Sequence, residues 1–403
     1  MCPSSSPASM RGSKNPRPSA EEKLILLSAG TSARRRAARP RAEQLGSLVD
    51  WTALAKMLSA RRLMPTLGPR VVELTGGDAA GEFASVLEEA LAAARRQGAL
   101  LVLVAARVQG KLTEAGIRCT PLKGPHLSET IYGDPGRRLA ADVDLLVARE
   151  QLAAAVTVVR QLGYAAPTDY VDDRGLPSLH FALVHERGEL PPVELHWRIH
   201  CYEGSFAGQR LLAPVDGISW DWRPAPIDEL TALLLFYARD GFMDLRLATD
   251  IGAWWDVFGS SLEPAALDEP IRAYPELERA LLAAARVAEQ TVGLPMREIT
   301  HRDARLGPRG RIAVRLADPH PHASQPQLYA NMGLIEGLLA PTGGLWGFVR
   351  RQLILPREVL RAQARRTPGR RPSSRSGHGV RVLGRYALAL TRLFRAPADV
   401  QSK

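Results

Sequence analysis

Apolar and polar residues alternate along several short segments in the middle of the chain, a pattern typical of β-strands, whose successive side chains face opposite ways. The segments that indicate strands span residues 117–123, 142–147, 179–185 and 193–199. The last two flank a G-E-L-P-P turn and predict an antiparallel hairpin. Together with the helical segments between them, they predict a small mixed β-sheet with helices on one face.

Segments with helical spacing of apolar residues lie on both sides of this sheet. Residues 79–115 predict one long helix or two helices broken near Gly98, and Asp50 is a candidate N-cap before Trp51. Helical patterns dominate again from Ile227, including an amphipathic segment from Glu276 to Val292. The predicted fold class is therefore α+β, with a core at residues 116–200 between helical regions at 20–115 and 201–366.

Positive charge is concentrated at the two ends of the chain. Residues 1–45 hold nine Lys and Arg against three acids, and residues 345–403 hold fourteen against two, whereas the remainder is net acidic. We predict a disordered basic tail at 1–19 and a second basic tail at 367–403 with an amphipathic helix from Val380 to Phe394, both dispensable for chemistry. Such tails contact nucleic acid or anionic membrane surfaces in many proteins, and a solubilising role explains their charge equally well. The helix itself could lie on an anionic membrane surface or dock on its own domain.

Cysteine content and hydropathy bear on the compartment. Cys2, Cys119 and Cys201 form neither a disulfide framework nor a C-x-x-C motif, which favours a cytoplasmic protein. The first residues lack the apolar core of a secretory signal. Because no stretch approaches the ~18 apolar residues of a membrane-spanning helix, we predict no transmembrane segment.

Carboxylates on two of the predicted strands suggest a metal site. Asp142 and Asp144 share one strand face and repel each other, and a divalent cation such as Mg²⁺ relieves this repulsion. Glu194 shares a strand face with His196 and would complete a three-carboxylate site if the two strands are neighbours. A D-x-D motif by itself is more often a solvated edge strand. Gly124 upstream and Glu194 downstream favour the metal site instead.

Four motifs resemble those of the uncharacterised nucleotidyltransferases, a family of the polymerase-β-like superfamily. They are L-K-G at 122–124, L-x-x-x-x-Y-x-x-P-G-x-R at 127–138, D-V-D-L-L-V at 142–147 and V-E-L-H-W at 193–197. The resemblance extends from about Glu21 to Pro356. Many superfamily members have Gly-Ser at the phosphate turn and a shorter spacing to the aspartates, whereas here Pro125 follows Gly124.

The resemblance implies Mg²⁺ or Mn²⁺ as cofactor, an NTP co-substrate with ATP the expected one, and specific roles for seven residues. Asp142, Asp144 and Glu194 are the expected catalytic metal ligands, although Glu194 could instead be the base for the acceptor hydroxyl. The residues expected to contact the nucleotide are Lys123, Gly124, Arg138 and His196. Lys123 and Arg138 would neutralise phosphate charge, or either could pair with a structural acid. His196 would support the carboxylates or contact the acceptor, or else be structural.

Three classes of function agree with these residues. The favoured class transfers a nucleoside monophosphate from an NTP to a hydroxyl of a small-molecule or protein acceptor. A nucleic-acid nucleotidyltransferase agrees with the basic tails, but the body of the chain is net acidic. A non-catalytic nucleotide-binding or regulatory relative is the third class, and the intact carboxylate set argues against it.

Overall fold

The computed structural model describes residues 18–77, 81–165, 179–212, 223–318, 325–353, 379–384 and 386–387. Most of the two predicted basic tails lies outside these ranges, namely residues 1–17, 367–378, 385 and 388–403.

In the part of the chain that the structure describes, five helices precede the sheet, which confirms the predicted helical flank. They are α1 (Ala20–Ala29), α2 (Ser32–Gly46), α3 (Trp51–Ala60), α4 (Met64–Leu74) and α5 (Gly81–Glu114). Asp50 is the N-cap of α3 and accepts a hydrogen bond from the Ala53 N–H at 3.0 Å. Helix α5 is continuous through Gly98, where a Cβ would overlap the carbonyl oxygen of Pro135. A glycine there lets the loop before the second strand pack directly on the helix.

The described residues of the central part of the chain form a five-stranded mixed sheet with two connecting helices. In chain order its elements are β1 (Cys119–Pro121), α6 (Pro125–Tyr132), β2 (Val143–Val147), α7 (Leu152–Gln161), β3 (Tyr164–Ala165), β4 (His180–His185) and β5 (Val193–His196). The strand order is β1-β2-β5-β4-β3. Strands β2 and β5 are parallel and the other three pairs are antiparallel, so the predicted β4–β5 hairpin is confirmed.

All four predicted strands are shorter than the sequence suggested, β1 by two residues at each end and β4 by its first residue. Asp142 lies in a bend just before β2, where the Val143 N–H donates to the Pro192 carbonyl at 2.9 Å. Strand β5 ends at His196, because the next two N–H groups, of Trp197 and Arg198, both point to the Leu179 carbonyl. The chain therefore turns away from the sheet earlier than the alternating sequence indicates.

Helices also dominate after the sheet. They are α8 (Pro226–Arg239), α9 (Leu245–Phe258), α10 (Asp268–Ala273), α11 (Glu278–Val292), α12 (Met296–Ile299), α13 (Gly307–Leu316), α14 (Gln325–Leu339) and α15 (Leu345–Leu353). Residues 379–384 and 386–387 are helical as well. Within the described ranges, no helix combines the length and apolar character needed to cross a membrane.

Both faces of the sheet are covered, so the prediction of helices on one face was wrong. Val143, Leu145 and Val147 belong to a buried cluster with apolar residues of α5 and α7. Leu146 points the other way, into the core that the flanking helices build. On that second face Phe236 of α8 lies 6.3 Å from the ring of His196. Residues on the polar side of β2 and β5 are therefore enclosed between the sheet and the C-terminal helices.

Candidate active site

Parallel pairing of β2 with β5 places Asp144 beside Glu194. The two residues are direct partners in the strand register, and neighbours in register project from the same face of a sheet. The sequence prediction that Glu194 lies near the aspartates depended on this pairing, which the alternation within each strand does not reveal.

The turn at Gly124 lies against the residue that precedes β2. Gly124 has φ +64° and ψ −130°, and a Cβ at this position would lie 3.4 Å from the Asp142 carbonyl oxygen. The next residue, Pro125, begins α6, and the Leu122 N–H donates to the Asp144 carbonyl at 3.1 Å. The Lys123–Gly124 turn, the N-terminus of α6 and the aspartates thus meet at one end of the sheet.

Asp142 is half-buried, and its surroundings disfavour its negative charge. Burial raises the pKa of this carboxyl, and repulsion from Asp144 and then Glu194 raises it further. The opposing effects of Lys123 and Arg138 do not cancel the rise. The positive charge near Asp142 is therefore too small to offset its burial and the two neighbouring carboxylates.

Asp144 is only 5% exposed, yet its ionised form is favoured. Its Oδ1 lies 2.9 Å from Nε2 of His196 and 3.6 Å from Nζ of Lys123. Burial acts to raise the pKa of Asp144, but the charge of Lys123 and the hydrogen bond from His196 outweigh it and hold this pKa well below its usual range. Lys123 is positioned from its other side as well, since its Nζ lies 4.5 Å from the centroid of the Phe236 ring.

Two histidines contact Glu194, one of which the sequence analysis missed. His180 on β4 pairs in register with His196, and their rings stack at 4.4 Å with 21° between their planes. Nε2 of each ring lies 3.4 Å from Oε2 of Glu194. The sequence predicted a hairpin that includes His180, but only the strand register of the structure shows that the His180 ring lies beside His196.

The pKa values of these groups reflect the crowding. Burial, followed by the proximity of His196, lowers the pKa of His180 to about 4. Burial acts to raise the pKa of Glu194, but the hydrogen bond from His196 and the proximity of His180 outweigh it, so this pKa is lowered.

Arg138 is paired with a buried acid, the alternative that the sequence left open for it. Its Nε donates to Oδ2 of Asp250 at 2.6 Å, and the Tyr132 hydroxyl donates to Oδ1 at 2.9 Å. Asp250 is fully buried and Arg138 is 6% exposed. The arginine is close enough for its charge to favour the ionised forms of Asp142 and Asp144.

Among the described residues, one compact group of possible metal ligands is present, namely His180, Glu194 and His196, whose ligand atoms all lie within 4.8 Å of one another. Asp142, Asp144 and Glu194 do not form such a compact group, so their role as metal ligands stays a prediction. Their carboxylate oxygens are of the type that Mg²⁺ and Mn²⁺ prefer.

Comparison with known proteins agrees with the motif resemblance. A family model described as uncharacterised nucleotidyltransferase matches residues 47–293, a range that contains all the residues of this site. No curated protein and no solved structure matches the chain.

Proposed function

The chain belongs to the uncharacterised nucleotidyltransferase family, and we propose that it transfers a nucleoside monophosphate from an NTP, with ATP the expected donor, to a hydroxyl group. The acceptor in this proposal is a small molecule or a protein. The observation that supports it most is the meeting of the Gly124 turn with Asp142, Asp144 and Glu194 at one end of the sheet.

The carboxylates suit a divalent cation, Mg²⁺ or Mn²⁺. Asp142 is the clearest sign, because burial and two neighbouring carboxylates make its own ionisation unfavourable, and a cation would reverse this. Asp142, Asp144 and Glu194 are the residues that would hold it. When bound, the ion supplies neutralisation of the charge on the phosphate oxygens during transfer.

The Gly124 turn and Lys123 are the proposed triphosphate contacts. A positive φ and the absence of a side chain let the backbone N–H groups of the turn approach a phosphate, and the N-terminus of α6 favours negative charge there. Lys123 has its ammonium group between Asp144 and Phe236, from where it would neutralise phosphate charge. Arg138 would add positive charge from its buried position beside Asp250.

Glu194 and His196 have proposed roles in metal binding and in the reaction of the acceptor hydroxyl. Glu194 would be a metal ligand or the base that accepts the proton of the acceptor hydroxyl. The lowered pKa of Glu194 suits a ligand better, since a general base works best with a pKa near the operating pH. His196 would orient Asp144 through its hydrogen bond.

A labelling experiment tests the transfer. The purified full chain is incubated with Mg²⁺ or Mn²⁺, a cell extract, and each NTP labelled at either the α- or the γ-phosphate. We expect the α-label to appear in a new product, which identifies the acceptor, and to be absent with Asp142→Asn. Transfer of the γ-label instead would contradict the proposal. Nucleotide binding without transfer of either label would indicate a non-catalytic relative.

A further inference from the structure

We propose that His180, Glu194 and His196 form a binding site for a divalent transition-metal ion of the Zn²⁺ type, beside the carboxylates assigned to Mg²⁺. The site shares Glu194 with the proposed function but does not require nucleotidyl transfer. His180 lies in none of the four motifs that carry the family resemblance.

The β4–β5 hairpin sets the positions of the ligand atoms. His180 and His196 are register partners across the hairpin, and Glu194 lies two residues before His196 on the same face of β5. Nε2 of each histidine lies 3.4 Å from Oε2 of Glu194. Nε2 of His196 also hydrogen-bonds Oδ1 of Asp144 at 2.9 Å, and a bound ion would replace that hydrogen bond. Two nitrogens and one carboxylate oxygen, all within 4.8 Å of one another, therefore converge on one small volume.

The chemistry of these atoms determines which ion they favour. Mg²⁺ prefers oxygen ligands and keeps several waters, whereas imidazole nitrogens favour ions such as Zn²⁺, Co²⁺ or Ni²⁺. Two histidines with a glutamate also make up the protein ligands of several catalytic zinc sites. The set that contains His180 and His196 thus differs from the proposed Mg²⁺ ligands because two of its ligand atoms are nitrogens and not oxygens.

The ring nitrogens of the two histidines that would not bind the metal, the Nδ1 atoms, indicate a moderate affinity for the ion. Metal-binding histidines usually donate their second ring N–H to a protein acceptor, which orients the ring. Nδ1 of His180 and Nδ1 of His196 are both buried and have no hydrogen-bond partner among the described residues. Solvent still reaches the site, since the side chains of His180 and Glu194 are 36% and 22% exposed.

Cobalt absorption tests the site in the full chain without nucleotide. Co²⁺ titrated into the wild-type protein should produce visible ligand-field bands that Zn²⁺ abolishes and excess Mg²⁺ leaves in place. His180→Ala should weaken Co²⁺ binding at least tenfold. The control is His185→Ala on the same strand, whose ring packs on Tyr164 at 5.3 Å, and it should bind Co²⁺ as the wild type does.

Two results would overturn the site: unchanged Co²⁺ binding by His180→Ala, or displacement of Co²⁺ by Mg²⁺, which would mean that only carboxylates bind. X-ray absorption of the Zn²⁺-loaded wild type needs no variant and should show imidazole scattering from two histidines. Its absence would also refute the site. Because no nucleotide is present, cobalt binding without α-label transfer would refute the proposed function alone, and transfer without cobalt binding would refute this site alone.

Discussion

At the scale of single residues, the backbone conformation of Gly124 favours a glycine. Its φ of +64° with ψ −130° is a conformation that side-chain-bearing residues rarely adopt, whereas a glycine has no Cβ to oppose these torsion angles. A Cβ there would lie 3.4 Å from the Asp142 carbonyl oxygen, an ordinary van der Waals contact, so the turn lies directly against the segment that carries the aspartates.

Gly124→Ala should lower both stability and nucleotide affinity. Enforcing this backbone conformation on alanine costs about 1–3 kcal/mol, and relief of that strain would move the turn away from the aspartates. Denaturant unfolding and calorimetric titration with Mg²⁺ and ATP measure the two effects. Gly116→Ala is the matched control, since Gly116 has φ +70° but no neighbour within 4 Å of its would-be Cβ. Equal losses of nucleotide affinity in the two variants would contradict the role of the Gly124 turn.

Glu194→Gln should separate the two roles that remain for this residue. If Glu194 is a metal ligand, turnover falls severely while Asp142 and Asp144 still bind Mg²⁺ with the NTP. If it is the base, the acidic limb of the pH–rate profile, which its carboxylate sets, disappears in the variant. Turnover with the acceptor identified by labelling, followed across pH, distinguishes these outcomes. Wild-type turnover would exclude both roles.

At the scale of elements, a buried ion pair joins the loop before β2 to helix α9. Arg138 in that loop and Asp250 in the middle of α9 bond at 2.6 Å, and Tyr132 at the end of α6 bonds to the same carboxylate. These contacts connect α6, the loop before β2 and α9, close enough to the site for the charge of Arg138 to act on Asp142 and Asp144.

Asp250→Asn should destabilise the protein strongly. Removing one partner of a buried pair leaves an uncompensated charge and costs about 3–5 kcal/mol. The midpoint of urea unfolding reports the loss. Glu43→Gln is the control, because its i,i+4 pair with Arg39 is largely exposed, and such pairs contribute about 0.3–0.5 kcal/mol. If both variants lose the same small amount, the Arg138–Asp250 pair is not a structural anchor.

At the scale of the whole molecule, the described part of the C-terminal segment packs on the body of the protein. Tyr386 stacks on Phe348 of α15 with ring centroids 6.3 Å apart, and its hydroxyl approaches Gly333 of α14. Val382 is 9% exposed. These contacts favour docking of this helix on its own protein, one of the two alternatives that its sequence left open.

Deletion of the two tails should therefore have different effects on stability. Removing residues 1–17 leaves the Ser19–Glu22 capping box of α1 intact and should leave the melting temperature nearly unchanged. Removing residues 379–403 uncovers Phe348 and should cost about 1.5–3 kcal/mol, the free energy of burying one large apolar side chain. Calorimetry measures the melting temperature of each truncated protein, and the α-label assay measures its transfer activity, which we expect to survive each deletion. An unchanged melting temperature after the second deletion would contradict the docking.

The sequence by itself determined the local features of the site, because they depend on backbone geometry within one segment. Alternation distinguished the polar positions of β2 and β5, and a glycine followed by proline marked the turn before α6. The limits of each strand were less certain, since Asp142 and Trp197 continue the alternation but lie outside the strands.

Only the tertiary structure decided which of these segments meet. Asp144 and His196 are 52 positions apart and Arg138 and Asp250 are 112 apart. Their contacts depend on the order in which strands pair and on how helices α8 and α9 cover the sheet. The hairpin register places His180 next to Glu194, and Arg138 pairs with Asp250 because a buried charge needs a partner. Both contacts depend on the free energy of the whole chain, so they cannot be deduced from any single segment.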